Sequence, residues 1–380
     1  MDSKDNNSNT GTDKKWIFLL FLFLILIYPT YFSSNSSSGN TFIKGDCFYY
    51  RAVIDSLLQD RDLLMANNIQ HDLLNGQLAL GTNGLVPKHP ILMPLISIPF
   101  YFLFGDTGLL LFNAINCVLL HTFIFKINRL FFDQLISLIT SVIYASATLF
   151  LDYSYNYSPD IFSTLLVISG LYYVLINRFY LGAFLLGLSV FAKLTNFPLV
   201  AAILLYSIFV IMSNHKVMFK KSITISITMM TFIFGILPLA YTNHFLFGSP
   251  FITGSQRTAI AGPTQDEIVT SNHVSKFNQP LFINSIRMLF DRHQGAIPTN
   301  LIVLLAFIGG ISMRRKDIDK RIILIAAICL IQFIMFAKYD EWHTSHFSNR
   351  FLMTTIALSS IFTSRYLSNL FAELKLDPER

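Results

Sequence analysis

The sequence predicts an all-α protein that crosses a membrane many times, and three observations predict this fold. Of the 380 residues, 53% are hydrophobic and 13% are charged, which is too apolar for a soluble domain of this size. Apolar runs close to the length of about 20 residues that a crossing helix needs recur along the chain. Lys and Arg cluster at the ends of these runs, where they set the membrane orientation, so the net charge of +6 does not indicate nucleic-acid binding.

The chain begins with a polar tail, residues 1–15, that we expect to be disordered and cytoplasmic. Lys14 and Lys15 directly precede the apolar run Trp16–Phe32, so this first crossing runs outward. No small-residue cleavage site follows the run, which predicts an uncleaved anchor. A second cytoplasmic tail is expected at residues 366–380, and residues 16–365 form one transmembrane domain.

The first outer loop is expected at residues 33–106 and carries two helical segments. Arg51–Asn67 alternates apolar and charged residues near helical spacing, which predicts an amphipathic helix lying on the membrane. Pro90–Phe104 is apolar but short and rich in proline, and counting it as a crossing would place Arg178 and later basic clusters outside. We therefore interpret it as a surface or re-entrant helix.

The remaining crossings follow from apolar length and from the positions of the basic clusters, which together predict about ten crossings with both termini inside. They are expected at Gly108–Phe125, Phe132–Phe150, Ile161–Ile176, the two halves of Tyr180–Met212 around Lys193–Pro198, Ser222–Tyr241, Leu301–Met313, Ile322–Ala337 and Phe351–Ser364. A second long outer loop is expected at residues 242–299.

Polar residues that orientation does not explain collect on the outer side in this topology. They are Asp46, Lys88, His89, Asp160, Lys193, Arg292, His293 and the segment Tyr339–Arg350. The crossings themselves carry almost no charge, which argues against an ion-coupled transporter. Nucleotide sugars and ATP are absent outside, and the sequence has no phosphate-cradling glycine loop, so the activated donor expected there is a lipid phosphate.

Six motifs follow one another along the chain, on the side expected for the site. They are Gly45-Asp46-Cys47-Phe48-Tyr49-Tyr50, Lys88-His89-Pro90, Tyr157-Ser158-Pro159-Asp160, Gly187–Lys193, Phe247-Gly248-Ser249-Pro250, and Trp342-His343 with Asn349-Arg350-Phe351-Leu352. In this order they resemble the motifs of the GT-C superfamily of polyprenyl-phosphate-sugar-dependent glycosyltransferases, which includes the protein mannosyltransferases and the aminoarabinose transferases. The resemblance covers about residues 14–365.

The resemblance implies a role for individual residues. Asp46 is implied to be the base that activates the acceptor, and Asp160 a second acid at the same cavity. The group implied to hold the lipid phosphate of the donor is Lys88, His89, Lys193 and Arg350, and the implied contacts to acceptor or sugar are Tyr50, Trp342 and His343. Cys47 stands where relatives often carry a second acid, and a lone carboxylate is a poor divalent site, so we expect no metal and no other cofactor.

Each of these residues also has a structural interpretation. Asp160 follows a proline and could cap a helix, Lys88 and His89 could snorkel at the interface, and Arg350 could be an interfacial anchor. Lys193 could be a turn residue. Four histidines lack the i, i+4 spacing of a metal site with a supporting carboxylate: His273, His293, His343 and His346.

The expected function is therefore transfer of a sugar, with inversion, from a polyprenyl phosphate to a hydroxyl of a glycan, lipid or protein. The expected site lies on the outer face of a bacterial inner membrane. One alternative is a flippase for lipid-linked sugars. Another is a diphosphate-dependent polysaccharide polymerase or ligase, for which Arg257, Arg287 and Arg292 would be the anion-binding residues.

Overall fold

A computed structural model describes residues 10–36, 46–69, 75–214, 217–262, 268–314, 318–343 and 349–375. The helices are, in chain order, α1 (Thr10–Ser36), α2 (Asp46–Asp55), α3 (Leu92–Asn128), α4 (Gln134–Ser146), α5 (Leu149–Ser154), α6 (Pro159–Leu175), α7 (Phe179–Ala192), α8 (Phe197–Asn214), α9 (Met218–Phe247), α10 (Leu281–Phe290), α11 (Ala296–Thr299), α12 (Val303–Ile311), α13 (Lys320–Ala337) and α14 (Met353–Lys375). The strands are β1 (Asn75–Leu80), β2 (Leu85–Pro87), β3 (Thr258–Ala261) and β4 (Ile268–Ser271).

Four helical segments within the described ranges are long and apolar enough to cross a membrane. They are Leu92–Asn128, Leu194–Ser213, Met218–Phe247 and Lys320–Ala337. Gln134–Ser146, Pro159–Leu175 and Phe179–Ala192 are shorter apolar helices at predicted crossings. The count of about ten crossings stays a prediction.

The centre of the molecule is α6, which packs against α3 and α7, while α7 also packs against α9. Small residues allow these close approaches. A Cβ added at Gly170 of α6 would lie 3.2 Å from the carbonyl oxygen of Gly182 on α7. One added at Gly187 of α7 would lie 2.5 Å from the carbonyl oxygen of Phe232 on α9. Glycine therefore fixes the spacing between α6, α7 and α9.

Helix α3 is broken at Gly105, where φ is 59° and ψ is −144°, a conformation that favours glycine. The break separates Leu92–Phe104 from Asp106–Asn128. It lies where the sequence predicts that a surface helix gives way to a crossing. Arg51 connects α2 to this break, because its Nε donates to Asp106 at 2.9 Å. Asp55, also on α2, lies 3.3 Å from the same guanidinium and holds it in place.

The predicted break within Tyr180–Met212 is confirmed, since α7 ends at Ala192 and α8 begins at Phe197 after a short 3₁₀ turn. The predicted crossing Phe132–Phe150 is not one continuous helix, and its crossing of the membrane stays a prediction. The structure divides it into α4 and α5, and the Thr148 hydroxyl caps α5 by accepting from the Phe150 amide at 3.3 Å.

Three predicted boundaries need correction. Helix α1 begins at Thr10 and α14 reaches Lys375, so both predicted tails are partly helical, because polar residues extend an apolar helix into water at little cost. Residues 1–9 and 376–380 lie outside the described part. The predicted amphipathic helix Arg51–Asn67 begins earlier, at Asp46, and ends at Asp60, where Arg61 takes a left-handed conformation. Its apolar residues Val53 and Ile54 are buried in the protein core instead of lying on the membrane.

The prediction of an all-α fold is also incomplete, because the two long loops that the sequence predicts on the outer side form a four-stranded antiparallel sheet. Its strand order is β2-β1-β3-β4, with β1 and β2 from the first loop and β3 and β4 from the second. The strands are short, and β1 pairs with a strand far away in sequence, so local patterns did not indicate the ladder. The sheet brings the end of β2, at Lys88, close to the end of β4, at His273.

Candidate active site

A cavity of about 800 Å³ lies where the outer loops meet the ends of α2, α6 and α7. The cavity is lined by seven residues that the sequence analysis identified, although they are distant from one another along the chain. They are Asp46, Tyr50, Lys88, His89, Asp160, Lys193 and Arg350.

The centre of the cavity holds two carboxylates and two cations. Arg350 Nη2 lies 2.7 Å from Asp46 Oδ2, and Arg350 Nη1 lies 3.7 Å from Asp160 Oδ2. Lys193, in the turn between α7 and α8, forms an ion pair with the other oxygen of Asp160. The four charges cancel, so this group, which we call the central cluster, is electrically neutral.

Asp46 is the first residue of α2, where the helix dipole favours a negative charge. Its side chain is about one fifth exposed. Burial alone would raise the pKa of this carboxyl, but the charge and the hydrogen bond of the Arg350 guanidinium outweigh burial and lower it. Asp46 is therefore ionised at neutral pH and can accept a hydrogen bond.

Asp160 is 2% exposed at the start of α6. Ser158 and not Asp160 caps this helix: its hydroxyl accepts from the Asp160 amide at 3.4 Å and donates to the Asp160 carboxylate at 2.8 Å. Asp160 is thus held by a hydroxyl and two cations. This environment suits a residue that orients Lys193 and Arg350.

Lys88 occupies a different side of the cavity. It is 8% exposed, so the interpretation as a snorkelling lysine is wrong. Its Nζ donates to the Gly76 carbonyl at 2.7 Å and lies 3.1 Å from Nδ1 of His273. In the part of the chain that the structure describes, no carboxylate lies within ion-pair distance of Lys88, and burial lowers its pKa to about 8.

His89 and Tyr50 line the cavity beside Lys88. Their rings stack with centroids 5.9 Å apart and an interplanar angle of 22°. Burial and the charge of Lys88 lower the pKa of His89 to about 4, so its imidazole is neutral at pH 7. It can donate or accept a hydrogen bond, but it has no positive charge that would attract an anion.

A second polar group, which we call the outer cluster, consists of His273, Lys276, Tyr339 and Glu341. His273 and the segment Tyr339–Arg350 stand out in the sequence, but sequence reasoning missed Lys276 and the contacts among the four residues. Lys276 forms an ion pair with Glu341, and the Tyr339 hydroxyl donates to Glu341 Oε2 at 2.9 Å. His273, Tyr339 and Glu341 line the cavity. Glu341 directly precedes the Trp342 motif, which was the one local signal for this group.

Two predicted contacts lie elsewhere. Trp342 is 4% exposed within the hydrophobic core, and neither it nor the exposed His343 is among the residues that line the cavity. In the loop after Ala337, Glu341 lines the cavity, whereas Trp342 packs into the core and His343 is exposed. His346 and Gly45 lie outside the described residues. Arg257, Arg287 and Arg292, the arginines of the polymerase alternative, also do not line the cavity.

A search for metal ligands found no group of three or more His, Cys, Asp or Glu side chains suited to an ion within the described ranges. Next to Asp46, the Cys47 thiol donates to Asn156 Oδ1 at 2.7 Å, and burial raises its pKa. The expectation that the protein uses no metal stays a prediction.

Comparisons with known proteins agree with the fold and motifs. Residues 88–241 match the model of the dolichyl-phosphate-mannose-protein mannosyltransferase family. No protein with a curated description gives a significant sequence match. ArnT from Cupriavidus metallidurans, solved bound to undecaprenyl phosphate, is 11% identical with a TM-score of 0.63, over 93% of this chain and 60% of ArnT.

The oligosaccharyltransferase AglB from Archaeoglobus fulgidus, solved with an inhibitory peptide and a dolichol phosphate, is 13% identical with a TM-score of 0.52. The match covers 96% of this chain and 51% of AglB. This chain therefore spans about three fifths of ArnT and half of AglB. The family match over residues 88–241 and the common fold agree with the resemblance that the sequence motifs indicate: this chain is similar in part of its sequence to the protein mannosyltransferases and in its fold to ArnT and AglB.

Proposed function

We propose that the protein is a membrane glycosyltransferase that moves a sugar from a polyprenyl phosphate to an acceptor hydroxyl of a glycan, lipid or protein. The observation that carries this proposal is the ionised Asp46, held by Arg350 in a cavity of about 800 Å³, with the buried cation Lys88 at the same cavity. The proposal is supported by ArnT, which binds undecaprenyl phosphate, and by the mannosyltransferase family match.

The proposed reaction is a single displacement. The acceptor hydroxyl gives its proton to Asp46 while its oxygen attacks the anomeric carbon, and the bond from that carbon to the phosphate oxygen breaks. The bonding electrons leave with the phosphate, so no acid has to protonate the leaving group. Attack opposite to the leaving phosphate inverts the anomeric carbon.

We assign different roles to the two carboxylates, Asp46 and Asp160, because their contacts differ. Oδ2 of Asp46 accepts a hydrogen bond from Arg350. Oδ1 is then the oxygen that takes the proton of the acceptor hydroxyl. Asp160 is more deeply buried and already bound by two cations, so we assign it a positioning role.

The prediction that Arg350 holds the lipid phosphate needs revision. Its guanidinium already faces Asp46 and Asp160, and drawing it away would leave buried carboxylates without their cation. We therefore assign Arg350 to orienting Asp46, and Lys88 to binding the phosphate.

We also propose that the site faces the outside of a bacterial inner membrane, with both termini in the cytoplasm. The basic clusters at the ends of the apolar helices support this orientation. Positive charge is retained on the cytoplasmic side, and the residues that line the cavity belong to the opposite side.

Transfer of label tests the proposal. Purified protein is incubated with a panel of radiolabelled polyprenyl-phosphate sugars and a membrane extract as acceptor, and Asp46→Asn is compared with the wild type. We expect the variant to lose transfer by about a hundredfold or more, the size of a general-base contribution. Glu373→Gln is the control, because Glu373 is exposed near the end of α14, far along the chain from the residues that line the cavity. Transfer by Asp46→Asn at the wild-type rate would refute the role of Asp46.

A further inference from the structure

We propose that the outer cluster completes the phosphate site: His273 and Lys276 join Lys88 in binding the lipid phosphate, and Glu341 occupies the phosphate position until the lipid arrives. This inference rests on the proposed function, because it places the donor phosphate at one side of the same cavity. It concerns residues of the second outer loop and of the last outer loop that no motif singled out.

The first argument is geometric. His273 and Lys276 are the first and last residues of one 3₁₀ turn, and side chains three residues apart on such a turn point to the same side. His273 lies 3.1 Å from the ammonium of Lys88, and Lys276 reaches Glu341 at the cavity wall. The sheet thus brings cations from two loops to one wall of the cavity.

The second argument is the charge balance. The central cluster is neutral, whereas the group of Lys88, Lys276 and Glu341 carries one net positive charge among the described residues. Asp152 also lines the cavity, but it belongs to α5 and is not among the charges that act on Lys88 or His273. Anions are favoured where such an excess is shielded from water. The phosphate is therefore expected at Lys88 and Lys276.

The third argument concerns the cost of an exchange. The side chains of Lys276 and Glu341 are 27% and 33% exposed, and a partly exposed ion pair is weak. Asp160, in contrast, is almost fully buried. A phosphate can displace Glu341 from Lys276 more easily than it can displace Asp160 from its partners.

Glu341 keeps a partner after such an exchange. The hydroxyl of Tyr339 donates to its second oxygen at 2.9 Å. Phe277 and Phe351 hold the Tyr339 ring, with centroid distances of 4.7 Å and 5.4 Å. The displaced carboxylate is therefore not left unpaired.

The exchange also suits the chemistry. The donor phosphate is a diester with one negative charge, and departure of the sugar leaves a monoester that gains a second charge near neutral pH. A cation placed beside the phosphate stabilises this developing charge more than the single charge of the substrate. Lys276, released from Glu341 when the lipid phosphate binds, would supply that cation.

Binding of undecaprenyl phosphate to the full chain in nanodiscs tests the inference, with undecaprenol as the ligand that lacks the phosphate. We expect Lys276→Gln to weaken undecaprenyl phosphate binding about tenfold, the value of one charge-assisted contact, and Lys276→Arg to retain it. We expect Glu341→Gln to strengthen binding severalfold, because the competing carboxylate is gone. Undecaprenol binding should be the same in all variants.

Matched controls are Lys220→Gln and Glu373→Gln, which change exposed charges at α9 and α14. Opposite effects of Lys276→Gln and Glu341→Gln support the inference. It is overturned if both variants weaken binding, if neither changes it, if Lys276→Arg also loses it, or if undecaprenol binding changes equally. If the wild type binds no undecaprenyl phosphate, the proposed function itself fails.

Discussion

Arg350 joins the two carboxylates of the cavity, with its guanidinium nitrogens 2.7 Å from Asp46 and 3.7 Å from Asp160. This contact connects the first turn of α2 to the first turn of α6 through the first residue of the 3₁₀ turn that precedes α14. One side chain therefore sets both the position and the protonation of the proposed base.

The pH profile of transfer should depend on Arg350. Burial alone raises the pKa of Asp46, and Arg350 lowers it below the usual value, so in the wild type the base stays ionised and transfer persists as the pH falls to 5. In Arg350→Gln burial is no longer outweighed, the pKa of Asp46 rises, and the ratio of kcat at pH 5 to kcat at pH 7.5 falls. The measurement is kcat between pH 4.5 and 8.

Arg350→Lys serves as the control, because it keeps a positive charge beside Asp46. It should restore most of the wild-type pH profile even if kcat is lower, since lysine lacks the two-pronged geometry. An acidic limb that does not move in Arg350→Gln would contradict the role given to Arg350.

Lys88 should make phosphate binding sensitive to alkaline pH. Burial lowers its pKa to about 8, and only the protonated lysine attracts the phosphate. As the pH rises through 8 the free protein loses this proton, so the affinity for undecaprenyl phosphate should fall, by up to tenfold per pH unit. The phosphate itself does not titrate there, because its second pKa is about 6.

The affinity is measured between pH 7 and 9 for the wild type and for Lys88→Arg. Arginine stays protonated throughout this range, so the variant should bind with nearly constant affinity. Equal loss of affinity in both proteins would exclude Lys88 as the titrating group.

The sequence identifies the residues of the central cluster because they lie next to readable boundaries. Asp46 follows the first crossing, Asp160 opens a helix after a proline, and Lys193 lies in the break between two apolar halves. Their burial and their pairing are tertiary properties, and so the sequence does not reveal that Arg350 is neutralised.

The outer cluster could not be predicted from the sequence, because long-range contacts bring its residues together. Lys276 and Glu341 are 65 residues apart and meet only because a sheet folds the second outer loop over the cavity. The strands that do this are three to six residues long, and their pairing energy comes from partners in another loop. The local periodicity of the sequence cannot predict such long-range contacts.

Asp160 should matter more for stability than Asp46. Asp160→Asn leaves Lys193 without its buried carboxylate and Arg350 with Asp46 alone. Removal of one partner from a buried pair costs roughly 3 kcal/mol of unfolding free energy. Asp46→Asn, at a more exposed position, should cost clearly less. Thermal unfolding in detergent measures both.

A double variant checks whether the loss arises from the pair. Asp160→Asn combined with Lys193→Gln should be less destabilised than the sum of the two single variants, because the second change removes the unpaired charge. Additive losses would mean that the two residues act independently.

The glycine contact between α7 and α9 should control the stability of the helix bundle. A Cβ at Gly187 would lie 2.5 Å from the Phe232 carbonyl oxygen and 2.9 Å from the Gly235 Cα, both backbone atoms that cannot rotate away. Gly187→Ala should therefore push α9 away and lower the unfolding free energy by roughly 1–3 kcal/mol. Gly310→Ala on α12 is the control, since its Cβ would meet only the Phe362 ring at 3.8 Å. Thermal unfolding of the two variants should separate them clearly, and an equal midpoint would show that α7 and α9 can adjust their spacing.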